Sequence, residues 1–310
     1  MMDKSDIVNR NFRILYFTGT GNTDWVVKKI REGLEAKGAS CMTLPADRLL
    51  ADCGMGFGMK PDPELLKARL GDFLSDDAVL VLGFPTYEGT VPRPFRELFP
   101  LLPEGNGRKL ACISTILLAG GDAVHIAEKT LAQRGYRSFL TTYVVMPGNI
   151  RLPHFAFFQI HNGKDLDRFY ESAGKAVAEI VDELLYQKAH FEGRTIADYL
   201  IGASNRWGEY ILPDLWGKQM FADAKCIKRA LCASSCPMGN ISLAKGYPEF
   251  GTNCCTCLRC YNFCPENAIQ ITEHTRDEEK YNRYKGFDGW KPPHLRHVEI
   301  GRREHEPARP

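Results

Sequence analysis

The chain has 310 residues, a net charge of +2 and 44% hydrophobic residues. That length accommodates one large domain and a small one, and the near-neutral balance, without blocks of like charge, offers no footprint for nucleic acid. No apolar run approaches the roughly 18 residues of a membrane span, and the polar start M-M-D-K-S-D carries no secretory signal, so the chain reads as cytoplasmic.

Residues 12–17, F-R-I-L-Y-F, form a short run of strand formers, followed at once by T-G-T-G-N-T, Thr18 to Thr23. Trp25, Val26, Ile30 and Leu34 then recur at helical spacing up to Gly38, a helix stop. Strand, hydroxyl- and glycine-rich turn, then helix is a phosphate-binding arrangement. Gly19 and Gly21 let the backbone curl close to an anion. Helix N-terminal N–H groups and the hydroxyls of Thr18, Thr20 and Thr23 supply donors. The loop has neither G-K-[ST] nor G-x-G-x-x-G, which suits a phosphate monoester better than a triphosphate with magnesium. The alternative reading is a well-capped βα turn.

The alternation continues. Residues 40–44, 78–83, 109–115 and 139–146 read as strands, the second an unbroken apolar run typical of a parallel strand buried on both faces. Residues 62–74 and 122–134 read as helices, the latter after Gly120 and Gly121. Residues 165–188 form a long amphipathic helix that closes the domain. Five strands with intervening helices predict a doubly wound α/β parallel sheet with ligands at the strand carboxyl ends. The loops there are informative. F-P-T-Y-E-G-T-V-P, residues 84–92, offers Tyr87 to stack on a flat ring, Pro85 and Gly89 to shape the backbone, and Thr86 and Glu88 between them. Thr115 begins the next loop, which ends in Gly120 and Gly121.

Y-F-T-G-T-G-N-T resembles the phosphate loop of flavodoxins, and P-T-Y-E-G is similar to their isoalloxazine-contacting loop. The resemblance covers about residues 12–190. It implies a flavodoxin-like fold of strand order 2-1-3-4-5 and FMN held without a covalent bond. Its contacts would come from Thr18, Gly19, Thr20, Gly21, Asn22, Thr23, Pro85, Thr86, Tyr87, Glu88, Gly89, Thr115, Gly120 and Gly121.

Eight of the eleven cysteines lie between residues 226 and 264. Cys254, Cys257, Cys260 and Cys264 make a complete C-x2-C-x2-C-x3-C-P, the ligand pattern of a bacterial [4Fe–4S] ferredoxin. A zinc site would use pairs split by a longer loop, and a disulfide framework needs a secreted chain. Cys226, Cys232, Cys236 and Pro237 repeat the spacing with Arg229 in place of the second cysteine. In two-cluster ferredoxins the last cysteine of each motif serves the other cluster. One cluster, [4Fe–4S], then takes Cys254, Cys257, Cys260 and Cys236. The other has Cys226, Cys232 and Cys264 alone and is expected as [3Fe–4S], since guanidinium cannot replace thiolate. The departure resembles that of seven-iron ferredoxins. Cys255 as a substitute ligand, or a four-iron cluster with water or substrate at its open iron, remain alternatives.

The motif order resembles fused flavodoxin–ferredoxin proteins of anaerobic bacteria and archaea. The expected layout is a flavodoxin-like domain at 1–189, an aromatic-rich connector at 190–222, a small α+β ferredoxin domain at 223–272 and a charged extension at 273–310 whose last ten residues are disordered. The connector, with Trp207, Tyr210, Leu212, Trp216 and Phe221, is expected to pack between the domains; a partner-protein patch is the alternative. The expected function is electron transfer between an external redox partner protein, the clusters and FMN. The alternative is FMN-dependent reduction of a small organic substrate fed by the clusters.

Overall fold

In a computed structural model, which describes residues 10–243 and 246–300, strands β1 (Asn11–Tyr16), β2 (Ser40–Pro45), β3 (Val79–Pro85), β4 (Lys109–Ile116), β5 (Arg137–Val145) and β6 (His190–Phe191) build one parallel sheet in the order β2-β1-β3-β4-β5-β6. The helices between them are α1 (Asn22–Ala36), α2 (Ala46–Asp52), α3 (Pro63–Phe73), α4 (Arg93–Leu98), α5 (Ala123–Ala132) and α6 (Asp167–Tyr186). The side-chain period of a strand explains the unbroken apolar run of β3. Leu80 and Leu82 join the core beneath α2 to α5, and Val79 and Val81 join the core beneath α1 and α6. Both layers are needed, so the sheet is buried on both faces. This is the doubly wound, flavodoxin-like α/β fold.

The sheet has six strands where five were expected. The extra strand is two residues long, too short for any alternation to show in sequence. Its neighbour Glu192 fixes it: its N–H donates to the Thr141 carbonyl at 2.8 Å, and its carboxylate accepts from the Tyr143 N–H at 2.7 Å.

The connector is a helix, α7 (Ile196–Gln219), started by a capping box between Thr195 and Asp198. Beyond it, β7 (Phe221–Ala222) pairs with β10 (Ile269–Gln270), and β8 (Ile241–Ser242) pairs with β9 (Glu249–Phe250), both antiparallel. Short helices α8 (Leu231–Ser234) and α9 (Arg259–Phe263) lie between them. Trp216 and Met220 at the end of α7 share a core with Leu258, Tyr261, Ile269 and Ile271. Residues 273–300 are held to this part and to the sheet domain alike. Arg283 donates to the carbonyl of Ile269, the Tyr284 hydroxyl donates to Asn22 at 2.6 Å, and Phe287 meets Trp25 edge-on at 5.2 Å. The disorder expected of the last ten residues falls outside the described residues. Among the described residues no helix is long and apolar enough to cross a membrane.

A side chain at Gly217 of α7 would bring its Cβ within 2.3 Å of the Gly251 carbonyl oxygen. Alanine is the better helix former by about 1 kcal/mol, yet Gly217→Ala should destabilise the protein by roughly 1–3 kcal/mol through overpacking. Thermal unfolding of the two proteins would measure the difference.

Candidate cofactor site

A cavity of about 440 Å3 opens at the carboxyl ends of the strands, within the range of small-molecule sites. Thr18, Gly19, Thr20, Asn22 and Thr23 line one side, with Pro85 to Gly89, Thr115 and Gly121. Of the expected loop residues, Gly21 and Gly120 do not reach the wall. Gly21 is the N-cap of α1 at φ 102°, and a Cβ there would strike the Trp290 side chain at 2.6 Å. Gly120 lies against the Tyr143 ring.

The donors are arranged for an anion. No side chain caps the N-terminus of α1, whose first N–H groups have no intrahelical partner and whose dipole is positive. The Gly21 N–H donates to the Thr18 hydroxyl at 3.0 Å, which draws the loop tight. Asn149 donates to the Thr20 hydroxyl at 2.7 Å, and the Thr23 and Thr115 hydroxyls share a hydrogen bond at 2.8 Å. The buried Tyr87 hydroxyl has no protein partner. It sits where a Cβ on Gly19 would be, 2.1 Å from that position. Hydroxyls, amide donors and an unpartnered phenol fit the phosphate and polar edge of FMN.

Glu88 is the one charged side chain among the described residues that line this cavity. The Thr256 hydroxyl donates to it at 2.9 Å, and burial pushes its carboxyl up to about 7.

The cysteines line two smaller cavities. Cys236, Cys254, Cys257 and Cys260 surround one, together with Cys255, Leu258 and Trp216. Cys226, Cys232 and Cys264 surround the other, with Lys228 and Arg229. These are the two sets that crossed ligation requires. Cys255 belongs to the wall of the complete set and not to the set that lacks a cysteine. Among the described residues no three histidine, cysteine or acidic side chains converge where one metal ion could be held. Burial pushes the thiols of Cys232, Cys236, Cys254 and Cys260 up.

The two motifs are one structure repeated 28 residues on, as in Cys226 and Cys254. The short strands follow the same shift, β7 onto β9 and β8 onto β10. Lys228 and Ala230 are left-handed, and so are Thr256 and Leu258. The Asn240 N–H donates to the Cys236 sulfur and the Ala268 N–H to the Cys264 sulfur, each at 3.2 Å. In this correspondence Arg229 stands where the other motif has Cys257.

The two kinds of cavity touch. Cys257, Leu258 and Trp216 line both the large cavity and that of the complete cysteine set. Behind this contact lies Arg259, 1% exposed, which sequence reasoning missed. Its guanidinium donates to the Gly19 carbonyl at 3.1 Å, the Thr18 carbonyl at 2.5 Å, the Ser235 carbonyl at 2.7 Å and the Asp47 carboxylate at 2.7 Å. Nothing local marks an arginine inside a cysteine motif as such a tie. The aromatic wall, including Phe155, Phe158 and Trp207, was also missed as part of this site.

The chain matches no protein-family model, and no curated protein is similar to it in sequence. Solved structures similar to it include a two-electron reduced flavodoxin from Megasphaera elsdenii, at 20% identity over 53% of this chain and 98% of that one, TM-score 0.31. Rubredoxin:oxygen oxidoreductase from Desulfovibrio gigas is similar at 12% identity over 56% of this chain and 37% of that one, TM-score 0.34. An azoreductase from Bacillus anthracis is similar at 14% identity over 56% of this chain and 99% of that one, TM-score 0.35.

Removing Arg259 would leave the Asp47 carboxylate buried without its cation. Arg259→Met should cost roughly 3–5 kcal/mol, and adding Asp47→Asn should recover part of it, as read by denaturant unfolding. Glu88 gives a pH test. Its carboxyl is raised from 4.5 to about 7, so its contribution to stability is complete below about pH 4.5 and is lost as pH rises through 7. Glu88→Gln should therefore match the wild type near pH 4 and exceed it near pH 8 by up to about 3 kcal/mol, at 1.36 kcal/mol per unit.

Proposed function

We propose that this chain is an iron–sulfur flavoprotein that moves electrons between an external redox partner, two ferredoxin-type clusters and FMN. The observation that carries the reading is the wall shared by the two kinds of cavity, formed by Cys257 and Leu258. In this reading residues 1–189 form the flavin half and 223–272 the cluster half. The loop from Thr18 to Thr23 holds the phosphate, with the α1 dipole in place of a lysine. The segments 85–89 and 115–121 hold the ring. Cys236, Cys254, Cys257 and Cys260 hold a [4Fe–4S] cluster. Cys226, Cys232 and Cys264 hold a second cluster, of [3Fe–4S] type because Arg229 supplies no thiolate. When bound, FMN pairs or splits the electrons that clusters carry singly.

The chain's own residues then have definite tasks. The N–H groups of Asn240, Thr256 and Ala268 donate to cysteine sulfurs, which sets the potential of bound clusters. Thr256 donates to Glu88, so a carboxyl able to hold a proton lies at the junction of the flavin and cysteine loops. A second reading, reduction of a small organic substrate at the flavin, draws on the aromatic wall of Phe155, Phe157 and Phe158 beside Ile201.

Anaerobically purified protein should contain about one FMN, about seven irons and about eight acid-labile sulfides. Stoichiometric zinc in place of iron and sulfide would overturn the cluster assignment. Thr20→Leu with Thr23→Leu should strip the flavin while sparing iron, and Arg229→Cys should add about one iron and abolish the three-iron paramagnetic signal.

A further inference from the structure

Helix α7 is inside out. A surface helix ordinarily turns its apolar stripe inward and its charges outward. Here Arg206 and Glu209 turn inward, paired with Asp122 and Arg96, and Asp198 is engaged in the capping box. Gly202 and Gly208 bring the same face close to the sheet domain, where a Cβ on Gly202 would lie 1.9 Å from Asp122. The opposite face presents Ile196, Tyr199, Leu200, Trp207, Tyr210 and Ile211, each 49–80% exposed.

We propose that this face pairs with its own counterpart on a second copy of the chain, as an antiparallel α7–α7 contact about a twofold axis at Ala203. Three observations select a second copy. The exposed positions 196, 200, 203, 207 and 210 follow steps of four and three, the seam of a coiled coil. Reversal about Ala203 places Ile196 against Tyr210, Tyr199 against Trp207, and Leu200 against the stem of Arg206 at the edge of the stripe, the reciprocal pairing of an isologous contact. The small residue at the axis lets the backbones approach. The six side chains together present on the order of 800 Å2, given roughly 150–250 Å2 for a whole aromatic residue, which is what a stable interface takes from each partner. Transient redox partners, in contrast, meet through small surfaces and are steered by charge, and from Ile196 to Ile211 no unpaired charge faces outward. Pairing has a further consequence, because Trp207 also lines the large cavity and Leu118 and Phe157 beside it are 75% and 74% exposed. The second copy covers the mouth of that cavity.

Sedimentation equilibrium of the full, anaerobically purified chain at about 10 µM should return twice the 34.9 kDa monomer. Ala203→Arg and Ala203→Glu, tested separately, should each raise the dimer dissociation constant at least ~100-fold, since each charge meets its like across the axis, with circular dichroism unchanged. Hydrogen exchange of the wild type, above and below its dissociation concentration, locates the contact without any variant, and protection of residues 196–211 should appear only in the dimer. A wild-type monomer at about 10 µM, a dimer indifferent to both substitutions, or exchange in 196–211 that ignores dimerisation would each overturn the proposal.

Discussion

A single buried guanidinium fixes how the two halves of this protein meet. Arg259 is sealed from solvent, so each of its donors must find an acceptor inside the protein, and a charge so placed tolerates little displacement. Its acceptors come from three separate places: the loop after β1, the start of α2 at Asp47, and Ser235 in the first cysteine motif. Only one relative placement of sheet and cysteine loops satisfies all of them. The carbonyls of Thr18 and Gly19 both turn toward Arg259. The same tie therefore shapes the loop from Thr18 to Thr23 and sets Cys257 against the far wall of the cavity.

The cysteine loops carry strain that calls for a cause. Lys228, Ala230, Thr256 and Leu258 all hold left-handed backbone without being glycine, at a cost of roughly 1–2 kcal/mol per residue. Such conformations persist where the surroundings over-determine them and gather at functional sites. That the strain recurs after 28 residues shows that it belongs to the loop design. The loop with Arg229 keeps the backbone of the loop with Cys257, so what it lacks is one sulfur and not its shape.

How legible this was in the sequence depended on how local each signal is. The loop from Thr18 to Thr23, the apolar run of β3 and the helical spacing of α1 and α6 are set by neighbours in the chain, and those elements lie where periodicity puts them. The cysteine spacing is local in the same way, and the cysteines it groups line the two small cavities. Signals that depend on distant partners were invisible. The strand β6 exists because Glu192 clips it to β5, and Gly21 and Gly120 stand where Trp290 and a tyrosine ring press close, partners that lie far off in the chain. Arg259 looked like one more polar residue among cysteines. The connector was read as aromatic and packed, but its composition could not say which face would be buried.

That last point bears on how the parts work together. At 1.5 Å per residue, the 24 residues of α7 span about 36 Å, and along that length the helix serves three neighbours in turn. Its inward charges and glycines fit the sheet domain, Leu212 and Trp216 wall the large cavity, and Trp216 with Met220 closes the cavity of the complete cysteine set. Each use takes the apolar residues of a different stretch or face, which leaves the outer stripe without a partner inside the monomer. A helix designed only to join two domains would carry polar residues there at no cost. Keeping six large apolar side chains outward, while half-burying Arg206 and Glu209, sacrifices solvation on both faces, as fits a chain whose finished surface includes a second copy of itself.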